Sequence, residues 1–462
     1  MSNVPVRFPV EKLGCGTQEL DRWREVLHER VLGSRGRTLF VVVDAIAGGQ
    51  GRCGCPAHAS LDGPVGHAAF YRALREGVVD TDRAMAGACE VAARTGLPRV
   101  YAADTTAWAR PHAPTSPDRQ PQYTPGGPRG SAMIRTGWRF QQIVRLTLTS
   151  DSWVVPVLVE RIGSHDDLVT VTVEQIAQIC ARDGASTQDP SLFLLDSGYP
   201  AARITYLLRE QNIPAEVLVR LSTSQTMWTR PEVKASHPLG GRPRRHGLRL
   251  ALGDPDLPAD AGLSAPVDVY GTVTVRVWHH VHPKIDRSTR GFADHPAPPI
   301  VEGSVLLARV QHLRPSRRAG DLALWYSGTR TDLITLVMTY LARFDIEHYF
   351  RYLKTTARAG DFHPLLPQTL TTWLRLHALA YIELFLARPH VTDPLLPWET
   401  RPHHTLTPGQ VRRRVSPALA NAWHPPQGPK PTHPGPGRPA GRRRKRRPRH
   451  PVVRKNAIHK GK

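Results

Sequence analysis

Between Leu97 and Leu221 short apolar, β-branched runs alternate with helical periodicities in one order. Arg99 to Ala103, Arg139 to Thr149 and Trp153 to Ile162 read as three strands, the last two as a hairpin or meander. A Pro/Gly-rich loop, about Pro111 to Gly130, separates the first from the second. Val173 to Asp183 reads as a helix with Gly184 as its C-terminal cap. Ser191 to Leu195 is a buried-type strand, Ala201 to Gln211 a helix, and Ala215 to Leu221 another apolar strand. Strand–strand–strand–helix–strand–helix–strand predicts an α/β fold with a mixed sheet covered by helices. The first run ends at Asp104-Thr105-Thr106 and the fourth at Asp196-Ser197-Gly198. One aspartate in such a place is most simply a turn or helix cap. Two of them, on strands this topology sets side by side, indicate a site, because open α/β sheets place ligands beyond strand ends.

The rest of the chain is arranged around that core. Residues 1–95 read as mostly helical, from Leu20 to Leu32, His67 to Glu76 and Thr81 to Thr95, and the region resembles a DNA-end-binding module in position only. Thr38 to Val43 is short and β-branched, and periodicity leaves strand or buried helix open. Residues 96–226 and 329–395 form the expected core, interrupted by a β-rich insertion over 227–328. Within the insertion, Thr272 to Trp278, Gly303 to Val310 and Leu322 to Tyr326 are strand-like. His279, His280 and His282 follow; strand alternation places His280 and His282 on one face, toward solvent or DNA rather than a metal. Leu376, Leu379, Ile382 and Leu386 recur at helical spacing within Gln368 to Ala387 and read as core.

Charge is placed unevenly. Residues 401–462 hold 17 Lys/Arg and no Asp/Glu, leaving +6 of the net +23 for the first 400 residues. Residues 396–462 are proline-rich and basic, and are expected to be disordered. Their run of Arg443, Arg444, Lys445, Arg446 and Arg447 suits a polyanion, most simply nucleic acid. No stretch of about twenty apolar residues is present and no secretory pattern opens the chain, so no membrane partner is expected and the cytoplasm, in association with the nucleoid, is the expected location. Five cysteines at irregular spacing do not form a disulfide framework. Cys53-Gly54-Cys55 with His58 has poor spacing for zinc.

Tyr340 to Lys354 has strong helix formers and neither Gly nor Pro. At roughly 100° per residue, Tyr340, Arg343, Glu347 and Lys354 fall within about 60° of one another, with Ile346, Tyr349 and Leu353 opposite. A carboxylate among cations suits a metal held beside phosphates. A salt-bridged surface helix, with Arg343 and Glu347 paired, accounts for the same pattern.

The four residues match Tyr-x2-Arg-x3-Glu-x6-Lys in full. With Asp104 and Asp196 upstream, the chain from about residue 97 to 390 resembles the DDE insertion-sequence transposases of the YREK group. The segment after Asp196, Ser197-Gly198-Tyr199, lacks the acidic, Arg-containing motif of some members. The resemblance implies an RNase H-like fold in which Asp104, Asp196 and Glu347 hold two Mg²⁺ ions, with Mn²⁺ able to substitute. It implies cleavage at insertion-sequence ends, strand transfer into target DNA, and a homodimer on DNA. Tyr340, Arg343 and Lys354 would grip the DNA backbone, and Trp278 or Trp325 would stack on an extruded base unless packed in the core. The competing expectations are a catalytically silent, transposase-derived DNA-binding protein and another RNase H-like nuclease.

Overall fold

The structure, a computed structural model, describes residues 17–48, 65–124, 133–149, 151–231, 244–313 except 255, 290, 294 and 296, 318–391, 406–430, and 436–454 except 438 and 443–445. Cys53, Cys55 and His58 lie outside the described residues. No helix among the described residues is long and apolar enough to cross a membrane.

The N-terminal stretch holds α1 (Thr17–Val26), α2 (Gly36–Gly48), α3 (His67–Glu76) and α4 (Thr81–Arg94). Strands β1 (Val100–Ala109), β2 (Gln120–Thr124), β3 (Met133–Leu146) and β4 (Val154–Ile162) follow. Then come α5 (Leu168–Asp183), β5 (Ser191–Leu195), α6 (Ala201–Glu210) and β6 (Ala215–Leu221). The insertion carries β7 (Thr226–Trp228), β8 (Arg249–Ala251), β9 (Ala261–Val267), β10 (Gly271–Val281), β11 (Gly303–Leu313) and β12 (Arg318–Tyr326). Helices α7 (Leu333–Ala342), α8 (Asp345–Arg351), α9 (Pro367–Ala387), α10 (Pro408–Arg414) and α11 (Ser416–Asn421) complete the chain. The architecture is mixed α/β, as expected of an RNase H-like fold.

Two compact units divide the described residues. The first comprises Arg99–Ala102 and Val169–Arg343; the second comprises the remainder, from the N-terminal helices to Pro98, Ala103–Leu168, and Phe344 onward. In the first unit the sheet order is β1-β5-β6-β12-β11-β10-β9. β5 and β6 are parallel, and the strands of the insertion extend from β6 as an antiparallel meander. β5 is buried at every position, as its unbroken apolar run Ser191-Leu-Phe-Leu-Leu195 requires of a strand covered on both faces. Tyr101 stacks on Phe193 at 4.9 Å and donates to Asp183 of α5, and the Trp325 indole donates to Thr205 of α6 at 3.0 Å. Gly184 has φ +68°, the left-handed cap that ends α5.

In the second unit β3 lies beside β1, and β2 and β4 follow each other along the other edge of β3. α9 is buried on nearly every side, packed among β4, α1, α2, α3 and α10. A helix apolar all round belongs in a core. A strong polar tie to β4 is Arg375, which grips both carboxylate oxygens of Glu160 at 2.6 and 2.7 Å.

Several expectations are decided or corrected. Thr38 to Val43, open between strand and helix, is helical within α2, where Leu39, Phe40, Val42 and Val43 are buried. Burial outweighs the weak β preference of the run. The Pro/Gly-rich loop contains β2, because the long β3 offers its edge to Gln120–Thr124. The described residues of 396–462 include α10 and α11. Thr407 and Gln410 form a reciprocal capping box, and Val411, Val415 and Leu419 are buried. The Trp423 N–H donates to Asp21 at 2.6 Å and its carbonyl accepts from the Arg24 guanidinium at 2.7 Å. Further on, the His450 and Val453 N–H groups donate to the Pro114 and Arg119 carbonyls, each at 2.8 Å.

Candidate active site

Each unit holds part of the predicted constellation. In the first, Asp196 directly follows β5, and the turn is closed by the Tyr199 N–H on the Asp196 carbonyl at 3.1 Å. The Tyr340 hydroxyl, on α7, donates to the Leu195 carbonyl at 3.2 Å, one residue before Asp196. Arg343 Nη2 lies 4.0 Å from Asp196 Oδ1 and its guanidinium 6.0 Å from the Tyr340 ring. Tyr340 is buried, and burial pushes its pKa up to about 12, Arg343 opposing and Asp196 adding to the rise. Tyr340 therefore fixes the end of β5 under the aspartate instead of presenting a hydroxyl to solvent. Tyr340→Phe is expected to lower stability by about 1 kcal/mol, seen in a thermal melt. Unchanged stability would show that the bond to Leu195 does not hold the end of β5.

In the second unit Asp104 is not at a strand end. β1 runs on to Ala109, so Asp104 is mid-strand and half-buried, its carboxylate accepting from the Thr105 N–H at 2.7 Å. Asp104, Thr106 and Trp108 share a face by strand alternation. The Lys354 ammonium sits 6.0 Å from the Trp108 ring centre. Packing lowers the Lys354 pKa, while Glu347 and Asp104 both act to raise it. Two of the predicted carboxylates thus share the field of one lysine. Gly137 of β3 has a local purpose here: a Cβ would run into the Trp108 carbonyl.

The single helix expected from Tyr340 to Lys354 is corrected. α7 ends at Ala342, and the Arg343 and Glu347 N–H groups bond the carbonyls three residues back, a tight turn at Arg343–Phe344. After α8 the chain enters a π-helical turn, Tyr352–Thr356, closed by the Ala357 N–H on the Tyr352 carbonyl at 2.8 Å. Lys354 is in that wider turn, so uniform helical angles do not describe its direction. Ile346, Tyr349 and Leu353 are buried, as the apolar side of the stretch predicted.

Both candidate stacking tryptophans are buried, Trp278 at 2% and Trp325 at 0% exposure, and neither face is open to a base. Their indoles are committed to the Pro258 carbonyl and to Thr205. The histidine alternation fails because the pairing of β10 with β11 shifts register between Trp278 and Val281. His279 and His280 are exposed, but His282 is fully buried with Nε2 2.9 Å from His246 Nδ1. Arg443, Arg444 and Lys445 lie outside the described residues, whereas Arg446 and Arg447 are exposed. Trp108, beside Lys354 in the second unit, and Arg220, in the first, were not anticipated. Trp108 was signalled only by its place four residues after Asp104 on a strand. Arg220, exposed on β6, acts on Tyr340 through its charge.

Among the described residues no three Asp, Glu, His or Cys side chains are gathered as a ready metal site. The donor chemistry still suits a hard divalent ion. Asp104 and Glu347 are half-buried carboxylates, and their shared neighbour Lys354 supplies compensating positive charge.

A family model described as DDE superfamily endonuclease matches residues 29–282. The chain belongs to this family of endonucleases. Asp104 and Asp196 fall within the matched residues, and Glu347 lies beyond them. Among curated proteins the chain has no match. Among solved structures it is similar to a piggyBac transposase synaptic complex with hairpin DNA, at 9% identity and a TM-score of 0.32, over 89% of this chain and 77% of that one. That likeness is too loose to locate any residue.

Proposed function

We propose that the protein is an insertion-sequence transposase of the YREK group, which cuts DNA at the element's ends and joins them to target DNA. The observation that carries the reading is that cations from one short stretch lie close enough to the carboxylates to act on them through charge. Arg343 faces Asp196, and Lys354 lies in the field of Asp104 and Glu347. In this reading Asp104, Asp196 and Glu347 would hold Mg²⁺, or Mn²⁺ in its place. The ions would supply an activated water or 3′-hydroxyl and stabilise the leaving oxygen. Lys354 and Arg343 offset the carboxylates' mutual repulsion before DNA arrives and take phosphate oxygens when it does. Joining two ends to one target calls for two copies on the DNA.

The test is incubation with DNA from both sides of the coding segment and Mg²⁺, followed by mapping of the ends. Metal-dependent cuts at a pair of inverted repeats are expected. DNA binding without cutting under any divalent ion would instead favour the silent, transposase-derived reading.

A further inference from the structure

The second unit fastens its basic C-terminal segment at two places. Trp423 is held by Asp21 and Arg24, as described above. The second fastening is a ledge, residues 110–119, which begins one residue after β1, the strand of Asp104. The ledge is itself well built. The Trp138 indole donates to the Pro117 carbonyl at 2.8 Å, and Asp118 pairs with Arg161 and accepts from Ser164. Arg119 is 4% exposed, and its guanidinium donates to the Ser116, Arg110 and His450 carbonyls at 3.1, 3.4 and 3.0 Å. With the His450 and Val453 N–H bonds, three hydrogen bonds hold 450–453 to the ledge.

Between the fastenings the described arginine side chains remain outward. Arg442, Arg446, Arg447 and Arg449 are all exposed, as is Arg454 just past the second one. The ledge adds like charge: Arg110 has its pKa lowered by burial and by Arg119, and its Nε, buried, has no hydrogen-bond partner among the described residues. Exposed guanidinium groups, with no acid in the whole segment, fit the regularly spaced phosphates of a nucleic-acid backbone.

We propose that Arg446–Arg449 is a fixed strap on the unit bearing Asp104, which grips the phosphates of duplex DNA at one place, and is not a freely moving tail. The proposal takes its partner from the DNA-processing reading, but not its test, which needs no metal and no cutting.

The full chain is titrated with a short duplex of arbitrary sequence in EDTA, across a series of NaCl concentrations. Three arginines on three phosphates account for about 2.7 in the slope of log affinity against log salt. Arg446→Gln, Arg447→Gln and Arg449→Gln combined are expected to reduce the slope by about that amount and weaken binding at least ~10-fold. Val453→Pro keeps every charge but removes one of the three hydrogen bonds that hold 450–453 to the ledge. It is expected to reduce the slope by more than about one at an unchanged thermal midpoint, whereas Val453→Ala, which keeps the N–H, leaves binding as it was. Wild-type binding by Val453→Pro alongside loss in the triple variant would show charge acting from a free tail and would overturn the proposal. No change in the triple variant, or no duplex binding by the unaltered chain, would overturn it as well. Failure to cut DNA with Mg²⁺ would sink the transposase reading and leave this result standing.

Discussion

Alanine at Asp104, Asp196 or Glu347 is expected to slow Mg²⁺-dependent cleavage of DNA ends by more than about 10³-fold. The reacting phosphodiester is already an anion, and the charge that builds up on its oxygens needs compensation worth several kcal/mol. Each about 1.4 kcal/mol lost is a factor of ten in rate. Losing one carboxylate therefore costs far more than losing one phosphate contact. The same variants should bind duplex in EDTA within about threefold of the unaltered chain, because cations carry that affinity. Asp196→Asn is the sharpest of the set. It keeps the shape beside Arg343, 4.0 Å away, and removes only the charge. Full cleavage by any one of these variants would remove that residue from the proposed metal ligands. Parallel loss of metal-free binding would show instead that the substitution had disturbed the fold.

Arg24→Met should be the most damaging change away from the proposed site, lowering stability by ~3–5 kcal/mol. Arg24 is fully buried in the second unit. Its Nη1 reaches Asp44 at 2.6 Å and Glu383 at 3.2 Å, its Nε holds the Trp423 carbonyl, and its guanidinium lies 4.8 Å from the centre of the Phe40 ring. Methionine leaves two carboxyl groups and a carbonyl without their donor. Glu383 is fully buried with Oε2 unpartnered among the described residues, and burial, opposed by Arg24, pushes its pKa up to about 8. Such a raised acid holds its proton in the folded chain where the unfolded chain, near the ordinary value of 4.5, has released it. By linkage, Glu383's contribution to stability falls as pH rises from the unfolded to the folded value. Glu383→Gln should flatten that decline in melts recorded from pH 5 to 9. An unchanged decline would place its origin elsewhere.

The core was legible because its strands are buried on both faces and therefore written as unbroken apolar runs. Ser191–Leu195 and Ala215–Leu221 have the predicted limits. Asp196 was visible for the same reason: it is the first polar residue after such a run. Asp104 was displaced from strand end to mid-strand because β1, which neighbours β3 in the sheet, runs on through the more polar Thr105 to Ala109. The turn at Arg343–Phe344 left no mark, since neither residue breaks helices. What distinguishes the place is Tyr340 bonded to Leu195, far away in sequence. The C-terminal helices did leave a mark. Val411, Val415 and Leu419 recur every fourth residue, but prolines and arginines around them dominate the composition. The His282 reversal depends on a register shift that no local pattern encodes.

The Arg24 cluster also sets a timetable. Its partners Glu383 and Trp423 lie 359 and 399 residues further along the chain. At the usual pace of synthesis, roughly 5–20 residues per second, Glu383 leaves the ribosome about 20–70 s after Arg24. For that interval α1 and α2 have neither α9 to pack against nor the groups that complete the Arg24 hydrogen bonds. α1 and α2 are made well before α9, yet they can reach their final packing only after it has emerged. A message cut short before α9 would release a polypeptide with its earliest helices still unburied, a natural substrate for chaperones and proteases.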